Sequence, residues 1–288
     1  MTAFFPPIFV FLWATGFLGA KLSAPYSEPL SFLTVRFALV ALILAATVAV
    51  LRLPWPTARQ ARNAMIAGAL IQGLYLGGVF WSIENGMPAG VSALIVGLQP
   101  ILTALLARPV LGEPIVARHW LGLILGLVGV GLVLAPKLEF SGQGITPATI
   151  AACVIGVLAI TAGSVWQKKT AGGLDTRVDG VFQFAAGTAV VGLGALATER
   201  FEFEWTGELV FAFVWLVFVL SIGAITLYLI MLRQGAVSKV AALFYLVPAV
   251  AAFFGWILFG ETLTIIQIAG MGVAVLAVAL VSRAKATG

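Results

Sequence analysis

The feature of this sequence that most constrains its fold is a succession of apolar runs, each close to the length of one membrane span. A hydrocarbon core of about 30 Å requires about 20 apolar residues in a helix, whose backbone satisfies its own hydrogen bonds in lipid. The ten runs lie near residues 3–22, 29–51, 62–83, 87–107, 118–135, 146–166, 178–198, 208–231, 237–258 and 263–282. They predict an all-α polytopic membrane protein with ten transmembrane helices. Because only about ten residues separate the fourth and fifth runs, a count of eight or nine helices is the alternative.

The composition supports the same class of protein. Hydrophobic residues make up 61% of the 288 positions and charged residues only 9%, against about 25% charged in a typical soluble domain. One soluble core cannot bury that much apolar surface, so the excess must face lipid. The net charge of +5 does not indicate nucleic-acid binding, because the basic residues are scattered over short loops and form no patch. Cys153 is the only cysteine, which excludes an internal disulfide.

The distribution of Lys and Arg predicts the orientation of the chain, because short cytoplasmic loops carry an excess of both. With the N-terminus inside, the inner loops and tail hold twelve of the sixteen basic residues: Arg52, Arg59, Arg62, Arg108, Arg118, Lys168, Lys169, Arg177, Arg233, Lys239, Arg283 and Lys285. The first run has no positively charged segment before it, so it is interpreted as a retained helix and not as a cleaved signal. We therefore expect both termini in the cytoplasm and an even number of spans.

An internal repeat occurs at an offset of 148 residues. Pro100 lies twelve residues before Gly112 and Glu113, and Pro248 has the same spacing to Gly260 and Glu261. The pairs Ala93/Ala241, Leu98/Leu246, Ala104/Ala252 and Gly122/Gly270 also coincide. Each half holds five runs, and an odd number of spans gives the halves opposite orientations, as in transporters whose substrate site lies where two inverted halves meet. The sequence predicts inverted five-helix repeats at residues 1–144 and 145–288, which together form one transport domain.

The repeated prolines are interpreted as the same structural device, used once per half. An interior proline removes a helix hydrogen bond and bends the helix, so we expect Pro100 and Pro248 to kink their helices, for packing alone or also for gating. A carboxylate that follows Gly near a helix start accepts hydrogen bonds from free amides and favours the positive helix end. Structural roles are therefore expected for Gly112, Glu113, Gly260 and Glu261.

Motifs that carry chemistry are missing from the sequence. There is no HExxH, no pair of carboxylates at helical spacing within an apolar run, and no Ser/His or Cys/His arrangement with an acidic partner. The glycine clusters at 73–78 and 122–131 are apolar and lack the Lys-Ser/Thr of a phosphate loop, so they indicate close helix packing. The sequence also lacks the repeated charged residues that would form the selectivity filter of a channel. We expect no enzyme activity, no metal site and no cofactor.

Three segments carry a resemblance to a known family: LWATGFLGAK (12–21), EPLSFLTVRFALVAL (28–42) and GETLTIIQIAGMGVAVLAVALV (260–281). They resemble EamA-type transporters of the drug/metabolite transporter superfamily, and the resemblance covers the whole chain. Within that family the chain most resembles an exporter of aromatic amino acids. The resemblance implies a ten-helix exporter of the inner (plasma) membrane, with a central cavity lined by helices 1, 3, 4, 6, 8 and 9. The halves have diverged, since Thr161 stands at the counterpart of Trp13 and Phe184 at that of Arg36.

Candidate substrate-binding residues follow from depth and helix face. Gln72, Tyr75 and Val79 share one face of the third helix at spacings of three and four. The polar atoms of Gln and Tyr near the midplane must find partners away from lipid. The alternative for each aromatic residue is core packing or lipid contact. The remaining candidates are Trp13 on the first helix, Gln99 beside Pro100, Trp166 on the sixth helix, and Phe244 and Tyr245 within a turn of Pro248.

Arg36 is the one strong charge within a predicted span. Seven residues beyond Pro29, it lies roughly 10 Å below the outer boundary at 1.5 Å per residue. One interpretation is that it snorkels to the outer interface or pairs with Glu28 or Glu84. The other is that it raises the positive potential of an outward-facing cavity and favours carboxylate-bearing solutes. Lys21 is similar but closer to the interface.

These observations predict a membrane transporter that exports small hydrophobic or aromatic amino acids, or related metabolites, by alternating access. All eleven acidic residues fall in loops or at helix ends, so no intramembrane carboxylate is available for proton-coupled antiport of cations. We expect facilitated movement of net-neutral solutes by a monomer whose partners are the small-molecule substrate and the lipid bilayer. The alternatives are a multidrug cation exporter of the same fold and a membrane-embedded enzyme.

Overall fold

The computed structural model describes residues 4–137, 144–170, 172–260 and 262–283, with the side chains at 17, 18, 20, 21, 137, 258 and 259 excepted. Ten helical segments make up the described chain. They are α1 (Phe5–Ser23), α2 (Pro29–Val50), α3 (Ala58–Glu84), α4 (Ala89–Leu111), α5 (Ala117–Leu134), α6 (Pro147–Thr170), α7 (Thr176–Thr198), α8 (Gly207–Gln234), α9 (Val237–Ala242, Leu243–Leu246 and Val247–Phe259) and α10 (Ile265–Arg283).

Nine of these segments, α2 to α10, are long and apolar enough to cross a membrane, while α1 contributes the shorter apolar stretch Phe5–Gly16. No β-strand occurs in the described ranges, where the one strand-like contact is an isolated bridge between Ser27 and Phe203. The prediction of an all-α membrane protein is therefore confirmed. Ten spans in two inverted repeats remain a prediction.

The third helix begins earlier than its apolar run, at Ala58 and not at residue 62. Its N-terminus is closed by a reciprocal capping pair. Thr57 Oγ1 accepts a hydrogen bond from the Gln60 amide at 3.3 Å, and Gln60 Oε1 accepts one from the Thr57 amide at 3.0 Å. Such a capping box satisfies two backbone donors that the helix itself cannot, so a polar first turn is added to the apolar span.

Helices α4 and α9 are each interrupted just before their proline. α4 breaks after Val96 and continues as Gln99–Leu111, while α9 passes through a short 3-10 turn, Leu243–Leu246. Pro100 and Pro248 therefore lie in the first turn of a new helical segment. The missing N–H of proline has no intrahelical partner to lose there. Each helix is thus made of two segments and is not one bent helix.

Helices α3 and α8 each contain a π-helical stretch in the middle. It covers Ala69–Leu76 in α3 and Leu216–Ala224 in α8, and the two stretches end 148 residues apart. π-Helical turns widen the helix locally and are frequent at functional sites. The chain therefore repeats two kinds of backbone irregularity, the π-helical stretch and the interrupted helix, at the offset that the sequence repeat shows.

The most extensive helix contacts join the first half of the chain to the second, in the pairs α5/α10, α3/α6 and α3/α7. Glycines allow the close approach of α5 and α10. A Cβ on Gly129 would lie 2.7 Å from the Ala274 amide nitrogen, and one on Gly270 would lie 2.8 Å from the Val133 amide nitrogen. Small residues let membrane helices pack backbone to backbone, so the glycine cluster near residue 126 is a packing face.

Candidate functional site

Four aromatic side chains form a buried cluster where α1 meets α8 and α9. Phe9, Trp13, Tyr228 and Phe244 are called the aromatic cluster below. The Trp13 ring centroid lies 5.0 Å from that of Phe244 and 5.9 Å from that of Tyr228. Phe9 stacks on Tyr228 at 5.7 Å and shares one face of α1 with Trp13, at 5.2 Å. Offset and edge-to-face contacts of this kind stabilise aromatic pairs, so the cluster joins the two halves of the chain.

The polar end of the cluster is fixed by a hydrogen bond to α6. The Ser164 hydroxyl donates to the Ile160 carbonyl, which leaves its oxygen to accept from the Tyr228 hydroxyl at 2.6 Å. A buried tyrosine hydroxyl needs such a partner. The bond holds the Tyr228 ring in place and adds α6 to the elements that surround the cluster.

Arg36 lies inside the helix bundle and not at its surface. Its side chain is only 3% exposed, its Nε donates to Ser221 Oγ at 2.9 Å, and its guanidinium lies 5.5 Å from the centroid of the Phe37 ring. Ser221 belongs to the π-helical stretch of α8. Among the described residues, no carboxylate lies within ion-pair distance of Arg36. The interpretation of Arg36 as snorkelling or paired with Glu28 or Glu84 is therefore wrong.

Several polar side chains in the bundle are buried without a hydrogen-bond partner in the described part of the chain. They are Gln72 on α3, Gln99 and Thr103 on α4, Gln183 on α7 and the Tyr245 hydroxyl on α9. An unsatisfied buried polar group costs about 1–3 kcal/mol. Native proteins keep such groups where water or a bound molecule supplies the missing bond. These side chains are thus available to polar atoms that enter the bundle.

A charged network joins the C-terminal ends of α6 and α8 to the start of α7. Asp179, only 2% exposed, pairs with Arg233 Nη2 at 2.6 Å and accepts a hydrogen bond from Gln167 Nε2 at 2.5 Å. Lys168 Nζ donates to the Arg233 carbonyl at 2.8 Å. In the adjacent loop, hydrogen bonds from Arg177 lower the pKa of the Asp175 carboxyl below its ordinary value. Each buried charge in this network is compensated.

The comparison with known families decides the class of protein. The sequence model of the EamA-like transporter family matches residues 4–135 and residues 147–283. The chain belongs to this family. It is a multi-pass membrane transporter, in agreement with the resemblance that the sequence carries.

Three relatives of this EamA-family protein are named as transporters or as an efflux pump. The uncharacterized transporter YvbV of Bacillus subtilis is 26% identical over 98% of this chain and 91% of its own length. The uncharacterized inner membrane transporter YedA of Escherichia coli K12 is 26% identical over 95% and 88%. A probable amino-acid metabolite efflux pump of Salmonella typhimurium is 24% identical over 91% and 88%.

A protein of known crystal structure superposes on this chain with a TM-score of 0.79, over 98% of this chain and 96% of the other. The two sequences are 21% identical. At that identity the likeness establishes the fold of this EamA-family transporter and not its substrate.

The structure brings together only some of the residues that the sequence suggested for substrate binding. Trp13 and Phe244 meet in the aromatic cluster. Gln72 and Gln99 are buried in the bundle on α3 and α4, and Tyr75 is a buried core residue of α3. The remaining three lie elsewhere: Val79 is half-buried at the edge of the core, the Trp166 indole donates to the Asn63 carbonyl at 3.2 Å, and the Tyr245 ring packs on Gly126 of α5.

The Gly-Glu pair of the first half has a defined structural position. Gly112 ends α4 in a left-handed conformation with φ 69°, and Gly260 ends α9 with φ 65°, where glycine carries no Cβ penalty. Glu113 then accepts hydrogen bonds from the Val237 amide at 2.6 Å and the Ser238 amide at 3.2 Å. It therefore caps α9 and not the helix that follows it in sequence. Glu261 lies outside the described residues, and so does the side chain of Lys21.

Sequence reasoning missed Phe9, Tyr228, Ser221 and Asp179. Tyr228 was accessible by the rule that selected Tyr75, since both are tyrosines in the interior of an apolar run. Asp179 was counted among carboxylates at helix ends, because nothing local distinguishes a capping residue from a buried partner of an arginine 54 positions away. No group of three or more His, Cys, Asp or Glu side chains that could hold a metal ion is present in the ranges that the structure describes.

Proposed function

We propose that this protein exports small hydrophobic or aromatic amino acids, or closely related metabolites, across the inner membrane. The aromatic cluster carries the proposal. It lies inside the bundle, and its rings come from α1 in the first half and from α8 and α9 in the second. A surface of stacked and edge-to-face rings favours aromatic and apolar solutes. The unpartnered amides of Gln72 and Gln99 supply polar atoms for the rest of such a solute.

The mechanism that we propose is alternating access by two inverted five-helix halves, residues 1–144 and 145–288. The family model matches two stretches of nearly equal length on either side of this boundary. The π-helical stretches and the interrupted helices recur once per half. Pro100 and Pro248 stand at the interruptions, where a change of angle between two helical segments would open or close a path. Both termini are placed in the cytoplasm by the distribution of Lys and Arg.

The proposed direction of transport and the proposed substrate class rest partly on a relative of this chain. One relative, from Salmonella typhimurium, is named as a probable amino-acid metabolite efflux pump and is aligned over 91% of this chain. That name supports the export of amino acids, and the aromatic cluster inside the bundle suits apolar and aromatic members of that class. The transporter is proposed to act as a monomer in the lipid bilayer, without a cofactor.

Coupling is proposed to be facilitative. Asp179 is the acidic residue that the structure buries most clearly, and it pairs with Arg233 at 2.6 Å. Its carboxylate is also bonded to Gln167 Nε2 at 2.5 Å, so it is engaged in a structural network. Net-neutral solutes then move down their own gradient, and the membrane potential contributes little.

The test is counterflow in proteoliposomes that contain the purified protein. Liposomes preloaded with unlabelled phenylalanine should accumulate external labelled phenylalanine, while protein-free liposomes should not. A panel of leucine, tryptophan, lysine and a lipophilic cationic dye then defines the class. Exchange of the dye alone would support the multidrug cation exporter, and exchange of none of the amino acids would refute the proposed substrate class.

A further inference from the structure

Arg36 is a buried cation whose charge the described protein does not balance. It lies within α2, is 3% exposed, and has no carboxylate at ion-pair distance among the described residues. A guanidinium carries five N–H donors in a planar fork, and the bond from Nε to Ser221 Oγ uses one of them. A buried charge without a partner is costly. The geometry therefore leaves a group that is suited to bind an anion from outside the chain.

Two acidic side chains next to the start of α2, Glu28 and Glu199, are engaged elsewhere. Both oxygens of Glu199 accept backbone bonds at the start of α2, from the Leu30 amide at 2.8 Å and the Ser31 amide at 2.6 Å. Glu28 accepts from the Arg200 amide at 2.9 Å. These carboxylates satisfy a helix terminus and a loop, so they do not neutralise Arg36. The Phe37 ring, 5.5 Å away, offers only a weak cation–π contact.

Arg36 and the aromatic cluster both contact α8 inside the bundle. Ser221, which holds Arg36, and Tyr228, which belongs to the cluster, are seven residues apart on α8, and both are only 1% exposed. At about 1.5 Å per residue, the interval corresponds to at most roughly 10 Å along the axis. Helix α1 packs closely on this stretch, since a Cβ on Gly16 would lie 2.9 Å from Leu220 Cδ2. One small molecule can therefore span the distance between a cationic end and an aromatic end.

We propose that Arg36 binds the carboxylate of the transported solute and that Ser221 orients the guanidinium for this contact. The inference rests on the proposed function and deepens it, because it names the substrates as small apolar or aromatic monocarboxylates, amino acids among them. Arg36 is then a specificity-determining residue. A solute with the same ring but no carboxylate leaves the cation unbalanced and is selected against.

The experiment compares two probes that differ only in the carboxylate, phenylalanine and phenylalanine amide, in proteoliposomes at pH 7. The wild-type protein should transport phenylalanine with a specificity at least about tenfold higher, as expected for a charge-assisted pair. Arg36→Gln should remove this preference and leave transport of the amide within about threefold of wild type. Arg36→Lys keeps the charge but loses the planar fork, so it should retain part of the preference. Ser221→Ala should reduce the preference by a smaller factor.

Arg200 provides the matched control, because it is an arginine of the outer loop with an 84% exposed side chain. Arg200→Gln should leave both probes unchanged. If Arg36→Gln does not fold, Arg36→Lys and Ser221→Ala still measure the preference in folded protein, as judged by size-exclusion chromatography.

The outcomes separate the two levels of the proposal. Equal transport of acid and amide by the wild-type protein would overturn the assignment of Arg36 and leave the aromatic-solute function standing. A preference that persists in Arg36→Gln would overturn it as well and make Arg36 a packing residue. If the wild-type protein transports neither probe nor any amino acid of the panel, the proposed function fails and the assignment fails with it.

Discussion

The aromatic cluster and the four positions related to it by the 148-residue repeat share a backbone pattern but not their side chains. The residues 148 positions from Phe9, Trp13, Tyr228 and Phe244 are Val157, Thr161, Phe80 and Val96. One of these four is aromatic, and the hydroxyl of Thr161 donates to the Val157 carbonyl of its own helix. The π-helical stretches and interrupted helices, by contrast, occur in both halves. The backbone irregularities therefore occur in both halves, whereas only one of the four aromatic side chains has an aromatic residue at the related position.

The polar contacts at the helix ends also differ between positions related by the 148-residue repeat. At the start of α7, Asp179 pairs with Arg233, while the positions 148 residues earlier are Ser31 and Asn85. Ser31 is bonded instead to Glu199, which comes from the other half of the chain. Both ends are tied by polar contacts, but only one of them uses a buried ion pair. The predictions that follow test which of these differences matter for stability and which matter for transport.

The largest effect is expected for Asp179→Asn. The substitution leaves the half-buried Arg233, 22% exposed, without its counter-charge. Breaking a fully buried pair costs about 3–5 kcal/mol, so a loss of about 2–4 kcal/mol is expected here. The measurement is thermal unfolding of the detergent-purified protein, followed by fluorescence or circular dichroism.

The matched control for that variant is Asp175→Asn in the neighbouring loop. Asp175 is partly exposed and pairs with Arg177, two residues away, so its loss should cost less than about 1 kcal/mol. Equal unfolding temperatures for the two variants would contradict the structural role assigned to the buried pair.

The next effect concerns the aromatic cluster itself. Trp13→Ala should lower the transport of phenylalanine by about tenfold or more, because it removes the ring that contacts three other members of the cluster. Thr161→Ala, at the counterpart position, should leave transport within about twofold, since the Thr161 hydroxyl bonds only to its own helix. Transport is normalised to folded protein, because truncation of a buried tryptophan also reduces stability. Equal losses of transport in Trp13→Ala and Thr161→Ala would show that the two related positions contribute equally.

A smaller effect is expected for the carboxylate that links the halves at the start of α9. Glu113→Gln weakens the charge-assisted bonds to the Val237 and Ser238 amides and should cost about 1–2 kcal/mol in stability. Glu208→Gln is the control, because Glu208 is an exposed residue in the first turn of α8. The check is again the unfolding temperature, and a larger shift for the control would refute the capping role.

The smallest effect is expected for the two prolines. Pro100→Ala and Pro248→Ala each restore an amide donor at a helix interruption, which allows the two segments to join into one stiffer helix. Each should slow the maximal transport rate by about two- to fivefold with the apparent affinity nearly unchanged, because the substitution acts on the interruption and not on the solute. Rates and half-saturation concentrations from counterflow distinguish the two parameters. A change in affinity alone would place the prolines in the binding site and not in a gate.

Much of the fold could be predicted from the sequence because lipid imposes a simple rule on it. Apolar runs of span length must be helices, so the bounds of helices such as α2 and α7 were predicted to within two residues. Polar ends are less constrained, which is why the capped first turn of α3 was missed. Trp13 was predicted from its depth and Phe244 from its place beside Pro248. Their contact could not be predicted, because they are 231 residues apart and nothing local encodes it.

By itself, the sequence determined the class of architecture, the places of the helices, the repeated prolines and glycines, and the membership of a transporter family. These features depend on residue type and spacing alone, since a helix in lipid satisfies its own backbone. Only the tertiary structure decided which polar groups are paired. It pairs Asp179 with Arg233 and brings Glu113 to the amides at the start of α9. It also bonds Arg36 to Ser221, with no carboxylate at ion-pair distance among the described residues. The reason is that a charge is balanced by whichever group the packing brings within a few ångströms, and that group lies anywhere in the chain.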